Sequence, residues 1–127
     1  MKEQNDLKIL IADDSILSRR KLKNCLNGLG YLNILEAVDG VIAVEMYKAN
    51  QPDLVFMDIV MPNKYGIDAL IDIIAYSPTA KVVMLSSTGT KSNITDSIKA
   101  GAYEFLLKPF TNTQVKEILS RIEMEDK

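Results

Sequence analysis

The sequence predicts a doubly wound α/β domain, a five-stranded parallel sheet in the order 2-1-3-4-5 with five helices packed on its faces. Three observations predict it. Five short apolar runs alternate with segments of helical period, the pattern of a parallel sheet with crossover helices. Three stretches within them, Ile9 to Ala12, Leu54 to Met57 and Val82 to Leu85, are uninterrupted by polar residues, as strands covered on both faces are. Glycines and capping residues fall at the junctions.

The elements follow in order. The first run, Leu7 to Ala12, precedes a stripe of Leu22, Leu26 and Leu29 that Gly28 and Gly30 close. The second, Leu32 to Ala37, leads to Val41, Val44 and Tyr47, and the third, Leu54 to Met57, to Ile67, Leu70, Ile71 and Ile74. The fourth, Val82 to Leu85, precedes a helix expected to be anchored by Ile94 and Ile98 and closed by Gly101. The fifth, Tyr103 to Leu107, precedes Val115, Ile118, Leu119 and Ile122, a helix opened by the capping-box spacing of Thr111-Asn112-Thr113-Gln114. Asn33, Glu36 and Glu104 interrupt the second and fifth runs and place them at the sheet edges. Glu123 to Lys127 reads as a frayed tail.

Composition bounds the function. The 127 residues fit one domain, taken as residues 1–127. A formal charge of −2 offers no broad cationic face for nucleic acid. No stretch approaches the roughly 18 apolar residues of a membrane span, and the polar Met1 to Asp6 segment is no secretion signal. The only cysteine, Cys25, forms no internal disulfide and is expected to pack in the core or a groove, so a cytoplasmic location is expected. There is no histidine, which removes the commonest zinc ligand and the usual triad base. Chemistry must then rest on carboxylates, hydroxyls and amines.

In a parallel sheet, the residues that end each strand share one rim, where such folds place their ligands. Here the first strand delivers Asp13-Asp14, the third Asp58, the fourth Ser86-Ser87-Thr88 and the fifth Lys108-Pro109. Strands one and three are neighbours in the expected order, so three carboxylates enter one crevice. Two carboxylates 4 Å apart repel by about 4 kcal/mol at an effective dielectric of 20, so a counter-charge is required. All-oxygen ligation with room for water and a phosphate oxygen suits Mg²⁺, and Lys108 adds a further positive charge.

With these residues in place, the chain resembles the receiver domains of response regulators, of the CheY type, from Leu7 to about Ile122. The matching segments are Ile11-Ala12-Asp13-Asp14-Ser15, Met57-Asp58-Ile59-Val60-Met61-Pro62-Asn63 with Gly66, Leu85-Ser86-Ser87, and Phe105-Leu106-Leu107-Lys108-Pro109-Phe110. The resemblance implies the flavodoxin-like, CheY-like fold and phosphorylation of Asp58. It implies Asp14 as a direct Mg²⁺ ligand, Asp13 as a ligand acting through water, and the Val60 main-chain carbonyl as the remaining protein ligand. Ser86 and Lys108 would hold the phosphoryl oxygens, the Lys108–Pro109 bond would be cis, and Val60 and Thr88 would tune the decay of the phosphoryl group. Ser86 and Phe105 would form the switch, read out on the surface of the fourth helix, fifth strand and fifth helix. Phe105 stands where CheY has tyrosine, so an output contact through that hydroxyl is absent.

The resemblance also implies the partners: a sensor histidine kinase as donor, and as output a flagellar switch component of the chemotaxis type. The alternatives are a histidine phosphotransfer domain in a phosphorelay, or a receiver excised from a longer regulator. The protein would be a monomeric switch rather than a turnover enzyme, although it would catalyse its own phosphorylation and dephosphorylation. No DNA-binding segment follows the fifth helix, so output by docking is expected.

Taken singly, each residue has a plainer explanation: Asp13-Asp14 as helix caps, Asp58 as a turn former, Lys108 as a solvated edge residue, Ser86 to Thr90 as a polar loop capping the next helix. Jointly these explanations require four accidents after four different strands. A haloacid-dehalogenase-type phosphatase would need a second Asp two residues after Asp58, where this chain has Val60. Flavodoxin would need a loop that accepts a flavin phosphate, which Asp13 and Asp14 would repel. Tyr65 replaces the aspartate receivers often carry before the glycine and follows Lys64, a surface difference that bears on kinase docking.

Overall fold

A computed structural model describes residues 6–125. The elements are β1 (Ile9–Ala12), α1 (Ile16–Gly28), β2 (Ile34–Ala37), α2 (Gly40–Asn50), β3 (Leu54–Asp58), α3 (Gly66–Tyr76), β4 (Val82–Ser86), α4 (Lys91–Lys99), β5 (Glu104–Leu107) and α5 (Asn112–Glu125). The strands pair in parallel in the order β2-β1-β3-β4-β5. The expected sheet order and edge strands are therefore observed. Most of the Met1 to Asp6 segment, and the last two residues of the expected tail, lie outside the described residues.

Strand alternation divides the core into two layers. Ile9, Ile11, Leu54, Phe56, Val83 and Leu85 point to one face, which α1 and α5 cover with Leu22, Leu26, Val115, Ile118, Leu119 and Ile122. Leu10, Ala12, Val55, Met57, Val82 and Met84 point to the other, covered by α2 and α3 through Ala43, Val44, Tyr47, Ala69, Leu70 and Ile73. Each apolar residue of β1, β3 and β4 is thus covered by a helix layer, and uninterrupted runs are the sequence mark of such strands.

The caps follow from residue type. Ser15 accepts from the Ser18 N–H, Asp39 from Ile42 and Thr90 from Asn93. Thr111 and Gln114 form the reciprocal capping box: Gln114 N–H donates to Thr111 Oγ1 at 3.1 Å, and Thr111 N–H to Gln114 Oε1 at 2.8 Å. Gly101, at φ 102°, takes the left-handed turn after α4.

Several helix stripes differ from expectation. On α2, Ala43 joins Val44 and Tyr47 inside while Val41 is exposed, and on α3, Ala69 and Ile73 flank Leu70 while Ile71 is exposed. Periodicity weights bulky side chains, whereas a small residue such as Ala43 or Ala69 faces a sheet at closer approach. Neither expected anchor of α4 holds it: Ile98 is exposed, Ile94 is only half-buried, and the fully buried residue is Ser97. α5 continues past the expected fray at Glu123 to Glu125, whose carboxylate accepts from Tyr103 Oη at 2.8 Å. The first, second and fifth strands begin two, two and one residues later than their apolar runs, because Leu7, Leu32 and Tyr103 lie outside the ladder. Leu7 and Tyr103 nonetheless join the α1/α5-side core, whereas Leu32 is exposed.

One close approach locks the site end of the sheet. A Cβ on Gly66, at the start of α3, would lie 2.0 Å from the Asp58 carbonyl oxygen, whereas one on Gly28 would meet nothing within 4 Å. Gly66→Ala is therefore expected to lower unfolding stability in urea by about 1–3 kcal/mol through forced backbone displacement, and Gly28→Ala to be neutral or stabilising by up to about 1 kcal/mol. Equal effects of the two substitutions would contradict this packing.

Candidate functional site

The ends of β1, β3 and β5 bring Asp13, Asp14, Asp58 and Lys108 together. One carboxylate oxygen from each aspartate lies within 4.8 Å of the other two. β1 and β3 are hydrogen-bonded neighbours with Ala12 beside Met57, so the residues that follow them emerge side by side.

Asp13 is 2% exposed, and both its oxygens are engaged. Oδ1 accepts from the Ser15 N–H at 2.9 Å, and Oδ2 from Lys108 Nζ at 2.8 Å. Its main chain is held as well: the N–H donates to the Ala37 carbonyl at 3.1 Å, and the carbonyl accepts from an Arg19 guanidinium nitrogen at 2.8 Å. Arg19 in turn pairs with Glu36 of β2 at 3.0 Å. Asp14, one residue on, is exposed.

Asp58 ends β3 with its side chain 13% exposed and its Oδ1 3.5 Å from Lys108 Nζ. Burial pushes its carboxyl up from 3.8 to about 6; the Lys108 charge pulls it down, and the charges of Asp13 and Asp14 push it up. One ammonium thus faces more negative charge than it balances. The donor set is all oxygen, which suits a hard divalent cation such as Mg²⁺ and not a soft one.

Ser86 ends β4, buried, with its hydroxyl turned to its own loop. It donates to the Thr88 carbonyl at 2.9 Å and accepts from the Thr88 N–H at 3.0 Å. The same carbonyl accepts from Asn93 Nδ2 of α4 at 3.1 Å, so a hydrogen-bonded path runs from the site to that helix. Met84 lies opposite Phe105 across β4 and β5, and alternation puts Ser86 on the sheet face of that pair. Phe105 is half-buried there, against the α2/α3 layer. The Lys108 N–H donates to the Ser86 carbonyl at 2.7 Å, and the Lys108–Pro109 bond is cis, as the resemblance implies. Val60 and Thr88 are exposed, in the loops after β3 and β4. A cleft of about 300 Å³ opens beside Asp13 and Lys108 toward Ser18 and Lys21 of α1.

Sequence reasoning missed the residues that hold this group in place. Arg19 gives no local sign, because its partners are the Asp13 carbonyl and Glu36. Asp39, before Gly40 at a strand-to-helix junction, has the mark of an N-cap and could have been found by it. The capping reading of Asp13-Asp14 is displaced by one residue, since Ser15 caps α1. Lys64, read as a surface difference, forms an ion pair with Asp72, and Tyr65 beside it is exposed.

Comparison with known proteins agrees with the geometry. The chain is 41% identical over 115 residues to the chemotaxis protein CheY of Thermotoga maritima, covering 91% of this chain and 96% of that one. It is 42% identical over 115 residues to the protein CcdB of Bacillus subtilis, with the same two coverages. Among solved structures, a chain of the CheX–CheY–BeF₃–Mg²⁺ complex from Borrelia burgdorferi superposes with a TM-score of 0.86 at 32% identity, over 91% of this chain and 88% of that one. The family model described as the response regulator receiver domain matches residues 9–120, from the start of β1 into the last turns of α5, and the chain belongs to that family.

Proposed function

We propose that this receiver domain is a phosphoryl-accepting switch of the chemotaxis type, with Asp58 as acceptor. The observation that carries the proposal is Lys108 Nζ standing 2.8 Å from Asp13 and 3.5 Å from Asp58 in a crevice of three carboxylates. That arrangement is acidic in residue type yet built to hold added positive charge, and then an anion.

The Asp58 carboxylate attacks phosphorus in line as the P–N bond of a donor phosphohistidine breaks, and the imidazole leaves with a proton from solvent. Lys108 donates to the transferred oxygens, giving up part of its contact with Asp13. Ser86 exchanges its bond to the Thr88 carbonyl for one to the phosphoryl group. Asp13, Asp14, Asp58 and the Val60 carbonyl would hold Mg²⁺, which when bound supplies the charge that keeps the carboxylates ionised and neutralises the group in flight. Hydrolysis of the acyl phosphate ends the signal, with Val60 and Thr88 governing water access. The protein then acts as a switch and not as a turnover enzyme.

Release of the Thr88 carbonyl by Ser86 alters the acceptor that Asn93 of α4 uses, and Phe105 packs on the same sheet face. Both support read-out by the surface of α4, β5 and α5. The donor would be a sensor histidine kinase of the chemotaxis type, and the output a flagellar switch component, a choice supported by the CheY relatives. The second reading, a phosphorelay to a histidine phosphotransfer domain, is supported by the cleft of about 300 Å³ beside Lys108 and α1, where a second donor or acceptor could approach. One receiver domain, monomeric and cytoplasmic, suffices for either. Among the described residues no helix is long and apolar enough to cross a membrane.

Incubation with acetyl phosphate and Mg²⁺ is expected to add one phosphoryl group by intact mass to the wild type and none to Asp58→Asn. Lys108→Ala is expected to slow labelling by at least about a hundredfold. Labelling of Asp58→Asn at the wild-type level would remove the acceptor assignment. The output choice is decided by affinity: the phosphorylated form is expected to bind a flagellar switch peptide at least about tenfold more tightly than the unmodified form, with no such gain for a histidine phosphotransfer domain. The reverse preference would select the phosphorelay.

The raised Asp58 carboxyl gives a pH test. Between about 4 and 6 the metal-free folded state keeps this proton and the unfolded state loses it, so stability falls as pH rises through that window. The interval from 3.8 to about 6 corresponds to on the order of 3 kcal/mol. In EDTA, Asp58→Asn is expected to gain on the wild type by about this amount between pH 4 and 7, and Mg²⁺ to close the gap by stabilising the wild type. Urea unfolding that showed a pH-independent gap would contradict it.

A further inference from the structure

The loop between β3 and α3, residues 59–65, carries the Val60 carbonyl assigned to the cation. A main-chain carbonyl has no rotamer with which to adjust, so it serves as a ligand only where the backbone itself is held. The loop is held at its base and near its tip. At the base, the Gly66 N–H donates to the Ile59 carbonyl at 2.7 Å, and Gly66 is packed on the Asp58 carbonyl. Near the tip, Asn63 adopts the left-handed conformation, φ 69°, and its Nδ2 donates to Asp39 Oδ2 at 2.7 Å. Beside that bond the first residue of α2 meets the loop directly, since a Cβ on Gly40 would lie 2.3 Å from the Lys64 carbonyl oxygen.

Asp39 is 6% exposed and divides its oxygens between two tasks. Oδ1 caps α2 through the Ile42 N–H at 2.8 Å, and Oδ2 takes the Asn63 amide. The Ile42 N–H and then the Asn63 amide hold its carboxyl below the usual range. Capping alone needs one oxygen. The second contact joins α2 to the loop and lies outside the carboxylate group of Asp13, Asp14 and Asp58.

We infer that Asp39 and Asn63 are positioning residues for the cation site, their hydrogen bond fixing the loop that carries the Val60 carbonyl relative to Asp58. This rests on the assignment of that carbonyl and the three aspartates to Mg²⁺. Left-handed backbone costs a non-glycine residue on the order of 1 kcal/mol, less for asparagine. Here the Asn63 side chain holds the turn through Asp39. Removing such outer partners weakens metal affinity roughly 10–100-fold in other metal sites.

The test measures the half-saturating Mg²⁺ concentration by isothermal titration calorimetry, together with metal-free unfolding, for the wild type, Asn63→Asp and the double variant Asp39→Asn/Asn63→Asp. Asn63→Asp sets two carboxylates against each other and is expected to raise the half-saturating Mg²⁺ at least about tenfold. Added negative charge acting alone would lower it, so the sign separates positioning from simple electrostatics. In the double variant the introduced amide at position 39 can donate to the introduced carboxylate while its oxygen still caps α2. Affinity within about threefold of the wild type is expected. If Asn63→Asp does not fold, Asn63→Gly keeps the backbone conformation, removes only the amide, and is expected to shift the affinity in the same direction. Unchanged or tighter Mg²⁺ binding in the single variant, or a double variant no better than the single one, overturns the inference. A wild type with no Mg²⁺ response removes the cation assignment itself, a result distinct from the other two.

Discussion

The structure is organised around a local excess of negative charge that folding does not relieve. Three carboxylates reach within 4.8 Å of one another, and a single ammonium at 2.8 and 3.5 Å stands against them. Two carboxylates at such a distance repel by a few kcal/mol even at an effective dielectric of 20. In the metal-free state burial, with smaller contributions from the charges of Asp13 and Asp14, raises the carboxyl of Asp58 against the pull of Lys108. A fold selected for stability alone would separate these side chains. Their convergence is therefore held by surrounding structure: both oxygens and the main chain of Asp13 are engaged, and the Asp58 carbonyl is packed against Gly66. Stability given up at a site is the usual companion of a functional role.

The sheet order makes this convergence possible. β1 and β3 are adjacent although a whole β–α unit separates them in sequence, so two distant chain segments end side by side. β5 is two strands away from β3, a separation that a long lysine side chain spans and a carboxylate would not. Lys108 is set by its own N–H, which extends the β4–β5 pairing to the Ser86 carbonyl. The hydroxyl and the amine thus ride on one pair of strands, and the carboxylates on another.

Much of this was legible in the sequence. Uninterrupted apolar runs identified β1, β3 and β4 as central, and Glu36 and Glu104 identified the edges, because a strand covered on both faces has no place for a charge. The four rim segments were legible because strand ends are marked by the change from apolar to polar residues. Side-chain size misled in the helices. Ala43, Ala69 and Ser97 are buried where Val41, Ile71 and Ile98 were expected, since proximity to the sheet favours small residues and periodicity alone weights large ones. The supports of the site were illegible for a different reason. Arg19 with Glu36, and Asp39 with Asn63, are pairs between elements, and nothing at either position announces a partner 17 or 24 residues away.

The setting of α4 bears on how a small event at Ser86 could move a large surface. One exchanged hydrogen bond is worth about 1–3 kcal/mol when a charged acceptor is involved. Carrying a two-state equilibrium from 1:99 to 99:1 takes about 5.5 kcal/mol. Under the proposed reading, Ser86 alone therefore yields a partial shift unless the responding element begins near balance. α4 has the features of such an element. Its fully buried residue is Ser97, whose hydroxyl has no hydrogen-bond partner among the described residues, and its largest apolar side chains are exposed or half-buried. α5, by contrast, sets four large aliphatic residues into the core. The two helices flank β5, and under the proposed reading the α4 side, where the Thr88 carbonyl links Ser86 to Asn93, is the one that would take up a change of charge at the rim.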